Sequence, residues 1–115
     1  MIREEFLELV HRFSQARKAD IPSSFIAYSE FEEYRGQRGR LISAGIQPEE
    51  RGDLYSFTIE WKNGEIEVIV FWSEAWEFKW DGNKARITRK RKAEVDSREK
   101  IPVGINCFEI QFPLF

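Results

Sequence analysis

The sequence predicts an α+β domain, with one N-terminal amphipathic helix packed on an antiparallel sheet of about five to six strands joined as hairpins. Three observations predict it. Apolar residues recur at three- and four-residue steps over residues 2–18, and from residue 54 onward the period changes to two. Two turn signals, Asn63-Gly64 and Asp81-Gly82, fall between the alternating runs. The helix is segregated from the strands, which indicates α+β rather than alternating α/β architecture. At 115 residues the chain has the length of a single domain, 1–115.

The helix comes first. Ile2, Phe6, Leu9, Val10, Phe13 and Ala16 form a stripe roughly 100° wide, the width of a helix lying on a core. Glu4 and Glu5 open it and Arg17 and Lys18 close it, so both ends suit the helix dipole. Asp20-Ile21-Pro22 ends it, because the residue before a proline avoids the helical region.

Residues 24–34 have strand character. Gly36 and Gly39 then predict a glycine-broken turn, followed by a short strand near 40–44. Residues 46–53, with Pro48 early and Gly52 late, predict a polar connection.

The segment from Leu54 to Trp72 predicts a hairpin. With Asn63 and Gly64 as a two-residue loop, Trp61 faces Ile66, Ile59 faces Val68, Phe57 faces Val70 and Tyr55 faces Trp72. That register makes one face apolar. It also leaves Ile69 and Phe71 on the opposite face, beside Ser56 and Thr58, and brings Glu60 near Glu67.

Trp76, Phe78 and Trp80 alternate with charged residues and predict another strand, although Trp72, Trp76 and Trp80 also fit one helical face. Residues 84–90 predict its partner, 89–100 a charged loop or protruding strand end, and 106–112 a closing strand.

The composition bounds the function. Eighteen basic residues oppose 20 acidic ones, so no global charge marks a nucleic-acid coat. No apolar stretch approaches the roughly 18–20 residues that span a bilayer. The N-terminus has acids where a secretory signal has basic residues. The single cysteine, Cys107, fits a reducing compartment, and the expected location is the cytoplasm.

Chemistry finds little support. His11 falls on the solvent side of the helix, and Cys107 sits in a strand beside Phe108 as a small hydrophobe. No phosphate-cradling loop, nucleophile elbow, HExxH or CxxC is present. No catalytic residue, metal ligand or cofactor is predicted.

Binding is better supported. Residues 84–100 hold eight basic and three acidic residues, against a net −6 over 1–83. Lys84, Arg86, Arg89, Lys90, Arg91 and Lys92 are the nucleic-acid candidates, with Trp76 and Trp80 as stacking neighbours. Seventeen aromatics exceed what the core needs, which makes Ile69, Phe71, Trp76, Phe78 and Trp80 the protein-interface candidates.

The leading expectation is a small non-catalytic cytoplasmic protein acting through a macromolecular partner, in the manner of an inhibitor, an immunity protein or an adaptor. A nucleic-acid-associated protein is the second reading. A small-ligand domain or enzyme with a pocket between helix and sheet is the third. A homodimer through Ile69 and Phe71 is an open alternative.

Overall fold

Helix α1 (Ile2–Lys18) forms where the spacing predicts it, with Phe6, Leu9 and Ala16 buried. The structure, a computed structural model, describes residues 2–29, 37–90, 96–102 and 104–113. Seven strands follow the helix among these residues: β1 (Ser24–Ser29), β2 (Gln37–Glu49), β3 (Gly52–Trp61), β4 (Ile66–Trp72), β5 (Trp76–Asp81), β6 (Lys84–Arg89) and β7 (Ile105–Gln111). All pair antiparallel in one sheet, ordered β4-β3-β2-β1-β7-β6-β5. The class is α+β as predicted, with seven strands rather than five to six.

This order has a geometric consequence. β4 and β5 are the two sheet edges, yet only Ser73–Ala75 separates them. A flat seven-stranded sheet would hold its edges about 29 Å apart, six strand spacings. Four Cα–Cα steps reach only about 15 Å. The sheet therefore curls until its edges approach, and the rings of Phe71 and Trp76 meet across the seam at 5.6 Å. Main chain from the charged segment lines that seam. Val70 and Lys100 exchange both hydrogen bonds, at 3.0 and 2.8 Å, and Lys90 N–H donates to the Ala75 carbonyl at 2.9 Å.

Inside the curl lies one aromatic core. Phe25, Phe57, Phe71, Trp76 and Phe108 touch in a chain of ring contacts. The helix adds Phe6, stacked on Tyr55 at 4.1 Å and reaching Phe57 and Phe71. Two arginines tie α1 to the sheet. Arg3 Nε donates to Asp53 at 2.8 Å, while Arg12 donates to the Gly82 carbonyl at 3.0 Å and lies over the Trp80 ring. Asp53 also accepts from the Tyr55 hydroxyl, and its N–H donates to Ser73. Hydrogen bonding from Arg3 holds the Asp53 carboxyl below its usual range. Burial, with Asp53 beside it, pushes the Tyr55 phenol up.

Two predicted elements change. The first hairpin has a three-residue loop, Lys62-Asn63-Gly64, closed by Trp61 N–H to the Glu65 carbonyl at 2.8 Å. Gly64 takes a φ of +90°, the glycine position of a turn that ends in a bulge. The extra loop residue shifts the register by one, pairing Phe57 with Ile69 and Tyr55 with Phe71. Every β4 side chain therefore sits on the face opposite to the prediction. Ile69 and Phe71 enter the core, while Ile66 and Val68 stay 65% and 51% exposed.

The second change is β2, which runs unbroken through Gly39 and on through Pro48 to Glu49. Gly39 pairs with Phe25 on one side and Trp61 on the other. Its missing side chain lets the two rings meet over the strand at 5.8 Å. A Cβ there would lie 2.6 Å from the Glu60 carbonyl oxygen and 2.9 Å from Ile59. Gly39→Ala is therefore expected to destabilise by about 1–3 kcal/mol through overpacking, read as a lower urea midpoint. Pro48 is tolerated because it faces Asp53, whose N–H points away to Ser73. That pair makes no ladder bond from the proline nitrogen.

Of the predicted strand 24–34, residues 24–29 are β1 and residues 30–34 lie outside the described ones. Within 73–80 only Ser73–Ala75 is helical, a single 3-10 turn before β5. The helical alternative for Trp72, Trp76 and Trp80 is excluded.

Candidate functional site

Strand alternation sorts the candidate residues between an inner and an outer face. Trp76, Phe78 and Trp80 project inward from β5, opposite Arg89, Ile87 and Ala85 of β6. Trp76 and Phe78 are 1% and 6% exposed, and Trp80 is partly buried against Phe78 and Phe112. With Ile69 and Phe71 at 0%, four of the five interface candidates are core residues. The aromatic excess fills the interior of the curled sheet. The burial of Ile69 and Phe71 also removes the homodimer face assigned to them.

The nucleic-acid candidates divide in the same way. Lys84 and Arg86 lie on the outer face, opposite Asp81 and Lys79. The indoles of Trp76 and Trp80 are on the inner face, so a base stacked on them could not share a strand of phosphates with Lys84 and Arg86. Two of the cations are also engaged internally. Lys84 Nζ lies 3.1 Å from Glu109, and Arg89 lies 2.9 Å from Glu99 and over the Trp76 ring. Burial alone would raise Glu109, but hydrogen bonds from Tyr28 and Lys84 overcome it and hold the carboxyl below its usual range. Lys90 is exposed, and Arg91 and Lys92 lie outside the described residues.

The residues weighed for chemistry are also separated. His11 is exposed on α1, and Cys107 is a buried free thiol on β7 beneath Thr88 and Arg86. Glu60 and Glu67 are not neighbours. The shifted register puts Glu60 on the outer face, bonded to Arg40 at 2.7 Å. Glu67 turns to the inner face and accepts the Trp61 indole N–H at 2.8 Å. Among the described residues no three His, Cys, Asp or Glu side chains gather as a metal site. None of their helices is long and apolar enough to cross a membrane.

The feature that alternation leaves exposed is the edge of β4. The Trp61–Glu65 bond makes the odd-numbered residues of β4 the ones bonded to β3. Ile66, Val68 and Val70 then point their N–H and C=O groups away from the sheet. Val70 uses both groups on Lys100. Among the described residues no strand pairs with Ile66 or Val68 on that side. Their side chains are also the two most exposed large apolar ones in the described sheet.

Sequence reasoning missed this edge because it assumed a two-residue loop. Gly64 carried the signal, since an Asn-Gly pair serves a three-residue loop as well, with the glycine last. Comparisons with protein-family models, with curated proteins and with solved structures each returned no match.

Proposed function

We propose that this chain is a small non-catalytic binding protein of inhibitor, immunity or adaptor type, and that its protein partner adds an extended segment to the edge of β4. The observation that carries this reading is the pairing of outward main-chain groups with exposed side chains at Ile66 and Val68. Strand addition needs both, because main-chain bonds supply affinity and alternate side chains supply specificity. Soluble proteins usually blunt such edges with lysine, proline or a bulge. β4 has only Glu67 as a charge, and that side chain is turned inward to Trp61. The Lys100 bridge at Val70 already extends the ladder by one residue pair, so an incoming segment would continue it toward Ile66. The expected compartment is the cytoplasm, where a lone buried thiol stays reduced.

A second copy fits this edge less well than a different protein. Two β4 edges pairing about Glu67 would set one Glu67 opposite the other, and like charges directly opposite are destabilising.

The test uses Val68→Pro. The residue 68 N–H points away from β3, so proline there removes an outward donor and leaves the β3 ladder intact. Capture from nuclease-treated source-cell lysate is expected to yield a stoichiometric protein with the wild type. Val68→Pro should weaken that complex by about tenfold or more, the loss of one hydrogen bond and part of an apolar contact. Arg86→Ala should leave it unchanged. Equal capture by wild type and Val68→Pro would refute the edge as the site. Loss of the captured material with nuclease would move the assignment to nucleic acid.

A further inference from the structure

β2 is an inner strand for only part of its length. β1 pairs with it over residues 37–40, and the Leu41 N–H reaches the Ser23 carbonyl at 2.9 Å. Beyond Leu41, β2 runs on beside β3 to Glu49, and among the described residues no strand lies on its other side. The ladder shows which groups are left over. β3 bonds to β4 through its odd-numbered residues, so it bonds to this part of β2 through Thr58, Ser56 and Leu54, opposite Ser43, Gly45 and Gln47. Ala44 and Ile46 therefore turn their N–H and C=O groups away from β3. Among the described residues nothing bonds to those groups. From Ser43 to Gln47 the edge has no charge and no proline, the usual protection of an open edge. A bulge between Leu41 and Ser43 bounds this stretch at one end and Pro48 at the other.

The surroundings favour a second copy of this chain. The overhanging part of β2 leaves a notch beside it, which ends at the start of β1. Two copies related by a two-fold axis fill each other's notch, and the lengths match because they are the same. With Gly45 near the axis, Ala44 of each copy faces Ile46 of the other. Both residues pack on the inner core, and directly opposite residues of an antiparallel pair share a face. The charges match as well. The notch ends at a cleft of about 220 Å3 whose lining includes Arg17 and Arg40 against Asp20. The tip of the overhang carries Glu49 and Glu50 against Arg51. Arg40 is spent on Glu60 and Glu49 on Arg98. That leaves Arg17 and Glu50, both exposed and without an ion pair among the described residues. Antiparallel pairing brings the tip of one copy to the notch of the other, so opposite charges meet. The β4 edge lacks this property, since there Glu67 would face itself.

We propose that two copies of this chain pair through the β2 overhang as an antiparallel, two-fold dimer. Each Ala44 exchanges both ladder bonds with Ile46 of the other copy, and each Arg17 meets the other copy's Glu50. The free side of β4 points the opposite way, beyond β3, and stays open in the dimer. The dimer is independent of the partner assigned to β4.

The test follows self-association of the full chain by sedimentation velocity and amide exchange by NMR. A monomer–dimer equilibrium in the micromolar range is expected, as for a small interface. Exchange should slow at Ala44 and Ile46 as concentration rises, and stay unchanged at Ile66 and Val68. Ala44→Pro removes one outward donor from each copy and keeps the β3 ladder, so it should weaken the dimer by about tenfold or more. Val68→Pro should leave the dimer as it is. Glu50→Arg, at an exposed position, should weaken it about threefold or more, and Arg17→Glu/Glu50→Arg should restore it. That rescue does not depend on how the fold tolerates a proline. A chain that stays monomeric at millimolar concentration would overturn the proposal, as would a dimer that Ala44→Pro leaves intact. A charge-reversed double variant no tighter than Glu50→Arg would overturn it too. Loss of the dimer in Val68→Pro would overturn it in favour of the β4 edge.

Discussion

Phe6→Ala is expected to cost about 3–5 kcal/mol, the usual range for truncating a buried phenylalanine. Phe6 is fully buried, and its ring meets those of Tyr55, Phe57 and Phe71. It therefore links the helix to both β3 and β4, near the seam where β4 and β5 share no ladder among the described residues. Total stability of a domain this size is about 5–15 kcal/mol, so the loss is a large fraction of it. Urea denaturation followed by far-UV circular dichroism measures it. Leu7→Ala is the control, because Leu7 is 51% exposed on the same helix and should change stability by no more than about 0.5 kcal/mol. A Phe6→Ala loss no larger than the Leu7→Ala loss would mean that the helix does not cover the aromatic core.

Arg89→Met is expected to be comparably damaging, at about 3–5 kcal/mol. The Glu99 side chain is 2% exposed and is held by the Arg89 guanidinium at 2.9 Å. Its other described contact is a long one, from the Asp96 N–H at 3.5 Å. Removing the cation leaves a carboxylate out of water, and this desolvation dominates the cost. The stack of Arg89 over Trp76 is lost as well. The double variant Arg89→Met/Glu99→Leu separates these effects. It removes both charges together and should recover most of the loss. If the double variant is no more stable than Arg89→Met, the damage comes from packing against Trp76 rather than from an uncompensated charge. Either result bears on the basic segment, because Arg89 was one of its six candidate phosphate contacts and is spent on the fold.

In the first hairpin the strands are legible in the sequence and the register is not. Alternation alone marks both strands, and Asn63-Gly64 marks the turn. The pairing was wrong by one residue, because a glycine at positive φ fits two loop lengths. Local sequence does not choose between them. The choice is made by the helix and the far strands, which cover Ile69 and Phe71 and leave Ile66 and Val68 outside. One loop residue thus exchanged the predicted interface for the core and created the β4 edge. Gly39 shows the same limit. A glycine reads as a turn from sequence, yet here it is a gap through which Trp61 reaches Phe25.

What the sequence by itself determined was the class, the N-terminal helix and its buried stripe, and the positions of the hairpins at 54–72 and 76–89. These follow from period and turn chemistry, which act over a few residues. The tertiary structure alone decided the seven-strand order, the curl that brings β4 to β5, and the face on which each β4 side chain lies. It also decided that Lys84 and Arg89 would answer Glu109 and Glu99. The physical reason is that these features join residues distant in the chain. Strand order and register are settled by which arrangement buries the most aromatic surface while pairing the charges taken inside, and no local pattern encodes that sum.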